Sequence, residues 1–423
     1  MRIAVLVYGL ERIGGIKKHA LCLSREYVSL GHKVDVWCVE YDPRNCYPNL
    51  IDGFDVHALR PASNLNIDSE PKGFGWGMSS YLKTLWKYYR DQLELSAHIP
   101  DGYDVIHPHG NMISWAAADY RHRHGTPVVW LCNDFIPVAS YLGNVPNNLW
   151  EKMKVGLKKS LCASISAFDR AAVRSLDRIA VLRNLVQAQM KDYYGVDTNV
   201  IRAGVDAQAF AAGNGQRIRI RYQVPKKAFL LLSVCSLMPH RRLEDIIRAI
   251  HHLAREGEDV AYLIVGRTNQ DPGYSRRIEQ EIQGLGLCEH VKLVGEIYEE
   301  ELVDCYHACD AFVWASDENQ SWGLAGMEAM AAGKPVIVSQ ASGLAEVLTD
   351  EKNALLVMPR SPMLIADAVK KLLSNPVRAS AIGREGQRLV REEYSWHRNA
   401  VEMLLLFEEA RKDANRRLKV RDD

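Results

Sequence analysis

Residues 311–348 gather side chains that could work on a hydroxylated ligand. Glu328 lies one to two helical turns past Gly323, and its carboxylate can accept hydrogen bonds from two vicinal hydroxyls such as those of a ribose. Gln320 offers both a donor and an acceptor to a sugar hydroxyl. Upstream, Arg241 and Arg242 stand side by side at a strand end, and planar guanidinium forks suit the oxygens of a diphosphate. Gly14 and Gly15 follow the first strand, where two residues without Cβ let backbone N–H groups approach a phosphate at the positive end of a helix. Another strand ends in His107-Pro108-His109-Gly110, and period-two geometry sends both histidines to one face. Taken alone, a histidine at such a place is as often structural as functional.

Strand ends and helix starts must hold these groups in place. Ala311 to Ala315 is a short apolar strand, and Ser316 to Ser321 a polar loop. Leu324, Met327, Glu328, Met330 and Ala331 then recur at helical spacing. Gly333 ends that helix and Pro335 prevents its continuation. Val336 to Val338 is a second strand, and Gly343 opens the next turn with Glu346 beyond it. Strand, loop, helix, strand is the unit of a parallel α/β sheet, whose ligands bind at the carboxyl ends of the strands.

The same alternation runs through the chain. Residues 2–8 predict a strand, 15–30 a helix, 33–39 a strand and 54–59 a further short strand. Residues 61–80 predict a loop. An amphipathic helix follows, with Leu82, Leu85, Trp86 and Tyr89 toward the core and Lys83, Lys87 and Arg90 toward water. Next come a helix over 112–124, a strand from Pro127 to Leu131 with Asn133 and Asp134 at its end, a helical region over 147–174, a strand over 178–182 and a helix over 184–194. Residues 211–226, rich in Gly and Arg, predict a connection. A second series begins at Leu230: the loop 236–242, a helix over 244–255, and a strand from Val260 to Val265 that ends in Gly266. Helices over 363–374 and 377–393 and a last helix after Trp396 complete it. Alternation in both halves predicts two doubly wound domains.

Composition narrows the function classes. Apolar residues make up 47% and charged residues 25% of 423, the balance of a soluble globular protein. A net charge of +1 gives no general attraction to nucleic acid. No apolar run approaches the ~18–20 residues of a membrane span. The first residues predict a strand rather than a leader. Nine cysteines without paired spacing predict a reduced, cytoplasmic protein, and Cys305 and Cys309 predict packing rather than metal ligation.

Trp322-Gly323-Leu324, Glu328-Ala329-Met330-Ala331 and Gly333-Lys334-Pro335-Val336-Ile337 together resemble the signature of the retaining nucleotide-sugar glycosyltransferases of family 4. Gly14-Gly15 with Gly31-His32-Lys33-Val34 is similar to that family's opening. His107-Pro108-His109 is similar to its H-x-H, and Ala203-Gly204-Val205-Asp206 with Phe210 to the turn that closes its first domain. Two positions depart: Gln320 stands where the family has Glu, and Ser236 where it has Arg.

The resemblance implies an α/β protein of the GT-B fold, two Rossmann-like domains facing each other across a cleft. It places the acceptor-side domain at 1–210, the linker at 211–226, the nucleotide-sugar domain at 227–393, and a helix crossing back at 394–423. The implied reaction moves a sugar, a hexose, from a nucleotide-diphosphate sugar to a carbohydrate, glycolipid or small-molecule acceptor, with retention and without cofactor or metal. His109 and Gln320 would act at the reacting centre. The diphosphate would meet Gly14, Gly15, Arg241, Arg242, Gly323 and Leu324, the ribose Glu328, and the donor sugar Gln320, Ser321 and Trp322. His107, Gly266, Glu318 and Glu346 are further candidates. Peripheral contact with the inner face of a membrane fits a glycolipid acceptor. A nucleotide-sugar epimerase of the same fold and a catalytically inactive binding subunit are the alternatives.

Overall fold

The computed structural model describes residues 1–61, 78–111, 113–136, 149–317 and 322–422. The chain forms two compact units, one of Met1–Arg202 with Asn399–Asp423 and the other of Ala203–Arg398. Among the described residues no helix is long and apolar enough to cross a membrane.

Unit 1 runs β1 (Arg2–Leu10), α1 (Gly15–Ser29), β2 (Lys33–Tyr41), β3 (Asp55–Pro61), α2 (Met78–His98), β4 (Val105–His109), α3 (Ser114–His124), β5 (Val129–Cys132), α4 (Leu149–Arg174), β6 (Arg178–Val181), α5 (Asn184–Tyr194) and β7 (Asn199–Val200). Its sheet is parallel, in the order β3-β2-β1-β4-β5-β6-β7. The central strands are covered on both faces, so Ile3 to Leu6 and Val129 to Cys132 are buried and read as unbroken apolar runs. The order reverses between β1 and β4, which leaves a crevice at the carboxyl ends of those two strands.

Unit 2 runs α6 (Gly215–Arg221), β8 (Phe229–Val234), α7 (Leu243–Arg255), β9 (Val260–Val265), α8 (Pro272–Gly284), β10 (Val291–Gly295), α9 (Glu299–Ala308), β11 (Ala311–Trp314), α10 (Leu324–Ala331), β12 (Val336–Ser339), β13 (Leu355–Val357), α11 (Pro362–Ser374) and α12 (Pro376–Glu393). The order β10-β9-β8-β11-β12-β13 reverses between β8 and β11. The last helix, α13 (Trp396–Asp422), leaves unit 2 at Arg398 and packs on unit 1. There the Phe407 ring lies 5.5 Å from Tyr27, and Arg411 pairs with Asp104 at 3.0 Å.

Two local expectations change. The stretch 211–226 holds α6, which belongs to unit 2 and is capped by the Asn214 side chain. Trp86 lies outside the buried face of α2 at 64% exposure. That face carries Asp91, Gln92, Leu95 and Ser96 instead. The polar members are buried because they have partners: Tyr8 donates to Asp91 at 2.9 Å, and Gln92 accepts from the Ala116 amide. An apolar-only pattern misses such a face. All nine cysteines are free, and Cys305 and Cys309 are buried in packing.

Candidate functional site

In unit 2 the crevice at the reversal is bounded by the loop after β8 and the loop after β11. The two loops are tied at one atom: the His240 carbonyl accepts from Ser316 Oγ at 3.0 Å and from the Asp317 amide at 3.1 Å. Pro239–Arg241 is a single 3-10 turn, and Arg242 follows in the left-handed region at φ 53°. Three carboxylates hold that unfavourable conformation. Arg242 gives two hydrogen bonds to Asp245 at 2.9 and 3.0 Å and lies 2.8 Å from Glu244 and 3.7 Å from Asp317.

The two arginines are therefore not equivalent. Arg242 is matched by two carboxylates of the first turn of α7 and one of the loop after β11. Arg241 lies with its guanidinium 4.6 Å over the Trp314 ring at the end of β11. Burial, with the Arg241 charge beside it, pushes His240 down to about 4 and keeps it neutral.

The first turn of α10 faces the same crevice. Gly323, at φ 95°, adopts a left-handed conformation that starts the helix, and its Cβ would press on Leu344 at 3.3 Å. The amide groups of Leu324 and Ala325 precede any i−4 carbonyl within the helix, so they lack intrahelical partners. Glu328 is 5% exposed and accepts from the Tyr306 hydroxyl at 2.7 Å. Burial, then the Glu328 charge, holds the Tyr306 phenol protonated well above its usual range. Trp322 is buried and lies 2.8 Å through its Nε1 from the Met327 sulfur. Gly266 ends β9 with its amide on the Gly295 carbonyl. Glu346 sits in the 3-10 turn Leu344–Val347. Glu318, Gln320 and Ser321 lie outside the described residues.

In unit 1 the crevice lies between the ends of β1 and β4. Gly14 precedes α1, and its amide donates to the Tyr47 hydroxyl at 3.1 Å, while Gly15 opens the helix and is exposed. His107 is fully buried with its Nδ1 2.7 Å from the Val129 carbonyl and its Nε2 3.4 Å from the Tyr27 hydroxyl. A carbonyl only accepts, so Nδ1 carries the proton. His109 is 2% exposed, and neither ring nitrogen has a hydrogen-bond partner among the described residues.

A third imidazole completes the group. His19 of α1 is 1% exposed, with its ring centroid 5.7 Å from that of His109, and His107 lies 4.2 Å from His109 on the other side. Burial drives His19 down to about 4, His107 to about 3 and His109 well below its usual value. All three are neutral.

His19, Tyr306, Trp314 and Asn399 escaped sequence reasoning. None stands in a turn or at a strand's polar end except Trp314, whose aromatic character reads as core. The structure sets Arg241 against Trp314 at the end of β11, Gly323 and Leu324 at the start of α10, Glu328 buried against Tyr306 of α9, and His107 and His109 together at the end of β4. Asn133, noted at a strand end, is 4% exposed and hydrogen-bonds His19 at 3.1 Å.

Comparison with known proteins agrees with this architecture. Residues 13–209 match the model of the Glycosyltransferase Family 4, and residues 215–389 that of the Glycosyl transferases group 1. A D-inositol 3-phosphate glycosyltransferase of Xylanimonas cellulosilytica is 27% identical over 94% of this chain and 92% of the relative. An uncharacterized glycosyltransferase of Methanocaldococcus jannaschii is 25% identical over 96% of this chain and 98% of the relative. Among solved structures, Anabaena HepE in complex with UDP and glucose superposes with a TM-score of 0.71 at 17% identity, covering 96% of this chain and 99% of that one. Sucrose-phosphate synthase from Thermosynechococcus elongatus gives 0.72 at 21% identity, covering 96% and 98%. Both likenesses concern the fold, which is GT-B. With one family model matched over residues 13–209 and the other over 215–389, the chain belongs to the group 1, Family 4 glycosyltransferases.

Proposed function

We propose that the chain moves a hexose from a nucleoside-diphosphate sugar to an acceptor hydroxyl, with retention at the anomeric carbon and with no metal assigned a step. The observation that carries this reading is the joining of the two unit 2 loops at the His240 carbonyl, with Arg241 on Trp314 between them and the start of α10 alongside. That constellation suits a diphosphate: one planar cation, plus outward amides at the positive end of an eight-residue helix. Glu328, oriented by Tyr306, takes the ribose hydroxyls. A fold neighbour whose structure holds UDP-glucose supports this class of donor.

In the proposed step the bond from the anomeric carbon to the diphosphate breaks and a bond from the acceptor oxygen forms on the same face. The acceptor proton passes to the leaving diphosphate. Negative charge grows on that diphosphate, and the preorganised Arg241 guanidinium and α10 amides stabilise it. His109, neutral and with no protein partner among the described residues, takes a hydroxyl of the reacting sugar. Gln320 keeps an acceptor oxygen for a donor-sugar hydroxyl, with an uncharged amide in place of a carboxylate.

Two substitutions test the diphosphate assignment. Arg241→Ala is expected to weaken a nucleoside diphosphate ~10–150-fold, the worth of one charge-assisted hydrogen bond, and to leave the bare nucleoside nearly unchanged. Arg242→Ala is expected to lower the melting temperature instead, because three carboxylates lose their shared cation. Calorimetry with UDP, ADP and GDP beside their nucleosides decides. Equal weakening of nucleotide and nucleoside in Arg241→Ala would sink the assignment.

Glu328→Ala is expected to cost the nucleoside itself a similar ~10–150-fold. Tyr306→Phe, which only frees one carboxylate oxygen, should cost about tenfold or less. Nucleoside affinity that survives in Glu328→Ala rules out the ribose role. Transfer itself is tested by screening nucleoside-diphosphate sugars against sugar, polyol and lipid acceptors, with the product anomer read by proton NMR. An inverted product overturns retention, and full activity abolished by a chelator overturns the metal-free step.

A further inference from the structure

We propose that Asn399 is a positioning residue: acting through His19, it sets which end of the Asn133 amide faces the substrate and presents an acceptor oxygen to an uncharged hydroxyl. The identity of that hydroxyl as substrate rests on the glycosyl-transfer reading above.

The polarity of the chain of bonds starts at an atom that can only accept. The Arg202 carbonyl takes a hydrogen bond from the Asn399 Nδ2 at 2.7 Å. The Asn399 Oδ1 is thereby turned to His19, whose Nε2 lies 3.1 Å away and must donate. A neutral imidazole carries one proton, so His19 Nδ1 is an acceptor, and the Asn133 Nδ2 gives it a hydrogen bond at 3.1 Å. The remaining Asn133 atom, Oδ1, is buried and has no hydrogen-bond partner among the described residues. One backbone carbonyl at the end of unit 1's first segment thus dictates the orientation of an amide at the end of β5. Asn133, His19 and Asn399 are 4%, 1% and 2% exposed, which keeps competing water away from each link.

The orphan oxygen is not alone. His109 pairs with Leu131 across the β4–β5 ladder, so its ring stands one strand away from Asn133, and its two nitrogens are also without hydrogen-bond partners among the described residues. The cluster therefore holds unmatched capacity of one kind: an acceptor on Asn133, and one donor with one acceptor on a neutral His109. A hydroxyl supplies what these atoms need, because it donates and accepts together. A phosphate is a poorer match, since its oxygens chiefly accept and its negative charge meets three imidazoles that burial keeps uncharged. The chemistry selected is that of a neutral polyol edge.

Three measurements test this on the full-length chain. Nitrogen-15 NMR of the histidine rings is expected to show His19 protonated on Nε2 in the wild type and to lose that single tautomer in Asn399→Ala and Asn399→Ser. A wild-type His19 protonated on Nδ1 overturns the relay without any variant. Titration with glucose is expected to shift the His19 and His109 ring signals, and to shift them less in Asn133→Ala, whereas inorganic phosphate leaves them in place. The reverse pattern, or no response to glucose, overturns the ligand chemistry. Turnover, once a donor–acceptor pair is in hand, is expected to fall about tenfold in Asn399→Ala, the worth of one well-placed hydrogen bond, and no further when Asn399→Ala is added to Asn133→Ala. Additive losses would mean that Asn399 merely holds the fold. If wild-type turnover is absent while the tautomer is as expected, the glycosyl-transfer reading fails and the relay stands. A wrong tautomer beside normal turnover is the opposite case.

Discussion

Unit 1 is expected to lose its stability on mild acidification, between pH 7 and pH 5. The cause is three buried imidazoles on or beside one strand end. His19 is held at about 4 and His107 at about 3, with His109 also far below the ordinary 6.5, all chiefly by burial. In the folded state they stay neutral through this window; in the unfolded chain they bind protons as the pH falls through 6.5. The unfolded state therefore takes up more protons, and stability declines as the pH drops. Their contribution is fully present above the unfolded value and is lost progressively down to the folded ones. Each histidine costs ~1.4 kcal/mol per pH unit below that value, so at pH 5 the three together cost about 6 kcal/mol. A domain's whole stability is about 5–15 kcal/mol.

In unit 2 the same argument applies to His240, held at about 4, so a weaker response is expected there. Circular dichroism melts from pH 8 to pH 4.5 check this. His107→Gln, His109→Gln and His19→Gln should each flatten the slope by about one proton. A melting temperature that stays level from pH 7 to pH 5 would show that the cluster is hydrated or charged, and the burial argument would fall.

Gly266→Ala is expected to unfold unit 2, or to leave it unable to bind nucleotide. Gly266 ends β9 at φ 143°, a conformation that side-chain-bearing residues rarely adopt, and a Cβ there would stand 1.9 Å from the Cys235 carbonyl oxygen. That oxygen belongs to backbone, so it cannot swing aside. Cys235 leads directly into the loop that carries Arg241, and the Cys235 amide bonds the Val265 carbonyl next to the clash. Relief must therefore separate β8 from β9 or displace the arginine loop. We expect a loss of ~4 kcal/mol or more, in the range reserved for broken backbone packing. Gly286→Ala is the control: Gly286 is also left-handed, at φ 69°, but nothing lies within 4 Å of the added carbon. It should cost only about 1 kcal/mol. Calorimetric melts of both variants, with UDP binding at low temperature, separate the two. A Gly266→Ala protein that melts with the wild type would show that β9 has room to spare.

Gly266 also shows how far sequence reading reaches. Its place after an apolar strand marks it as a turn at the sheet's carboxyl edge, but only the approach of β8 shows why the position excludes a side chain. The same division holds elsewhere. The alternation of apolar runs with helical spacing was enough for two doubly wound sheets, because parallel strands covered on both faces must be apolar throughout. Gly323, Pro335 and the His107-Pro108-His109 strand end were legible because turn and cap chemistry is local. Arg241 and Arg242 read as equals, since nothing local distinguishes two adjacent guanidinium groups. Asp245, Glu244 and Asp317 converge on one of them, and Trp314 lies under the other. His19 read as one polar residue on an amphipathic helix, although it packs against His109 and bonds Asn399, 380 residues away in sequence.

By itself, then, the sequence determined most of the elements, their parallel alternation and the strand ends, because those follow from period, burial and backbone chemistry within a few residues. Only the tertiary structure decided which carboxylates converge on Arg242, which imidazole has no hydrogen-bond partner among the described residues, and which way an amide points. Those properties depend on what burial brings within hydrogen-bonding distance, and no local spacing encodes that.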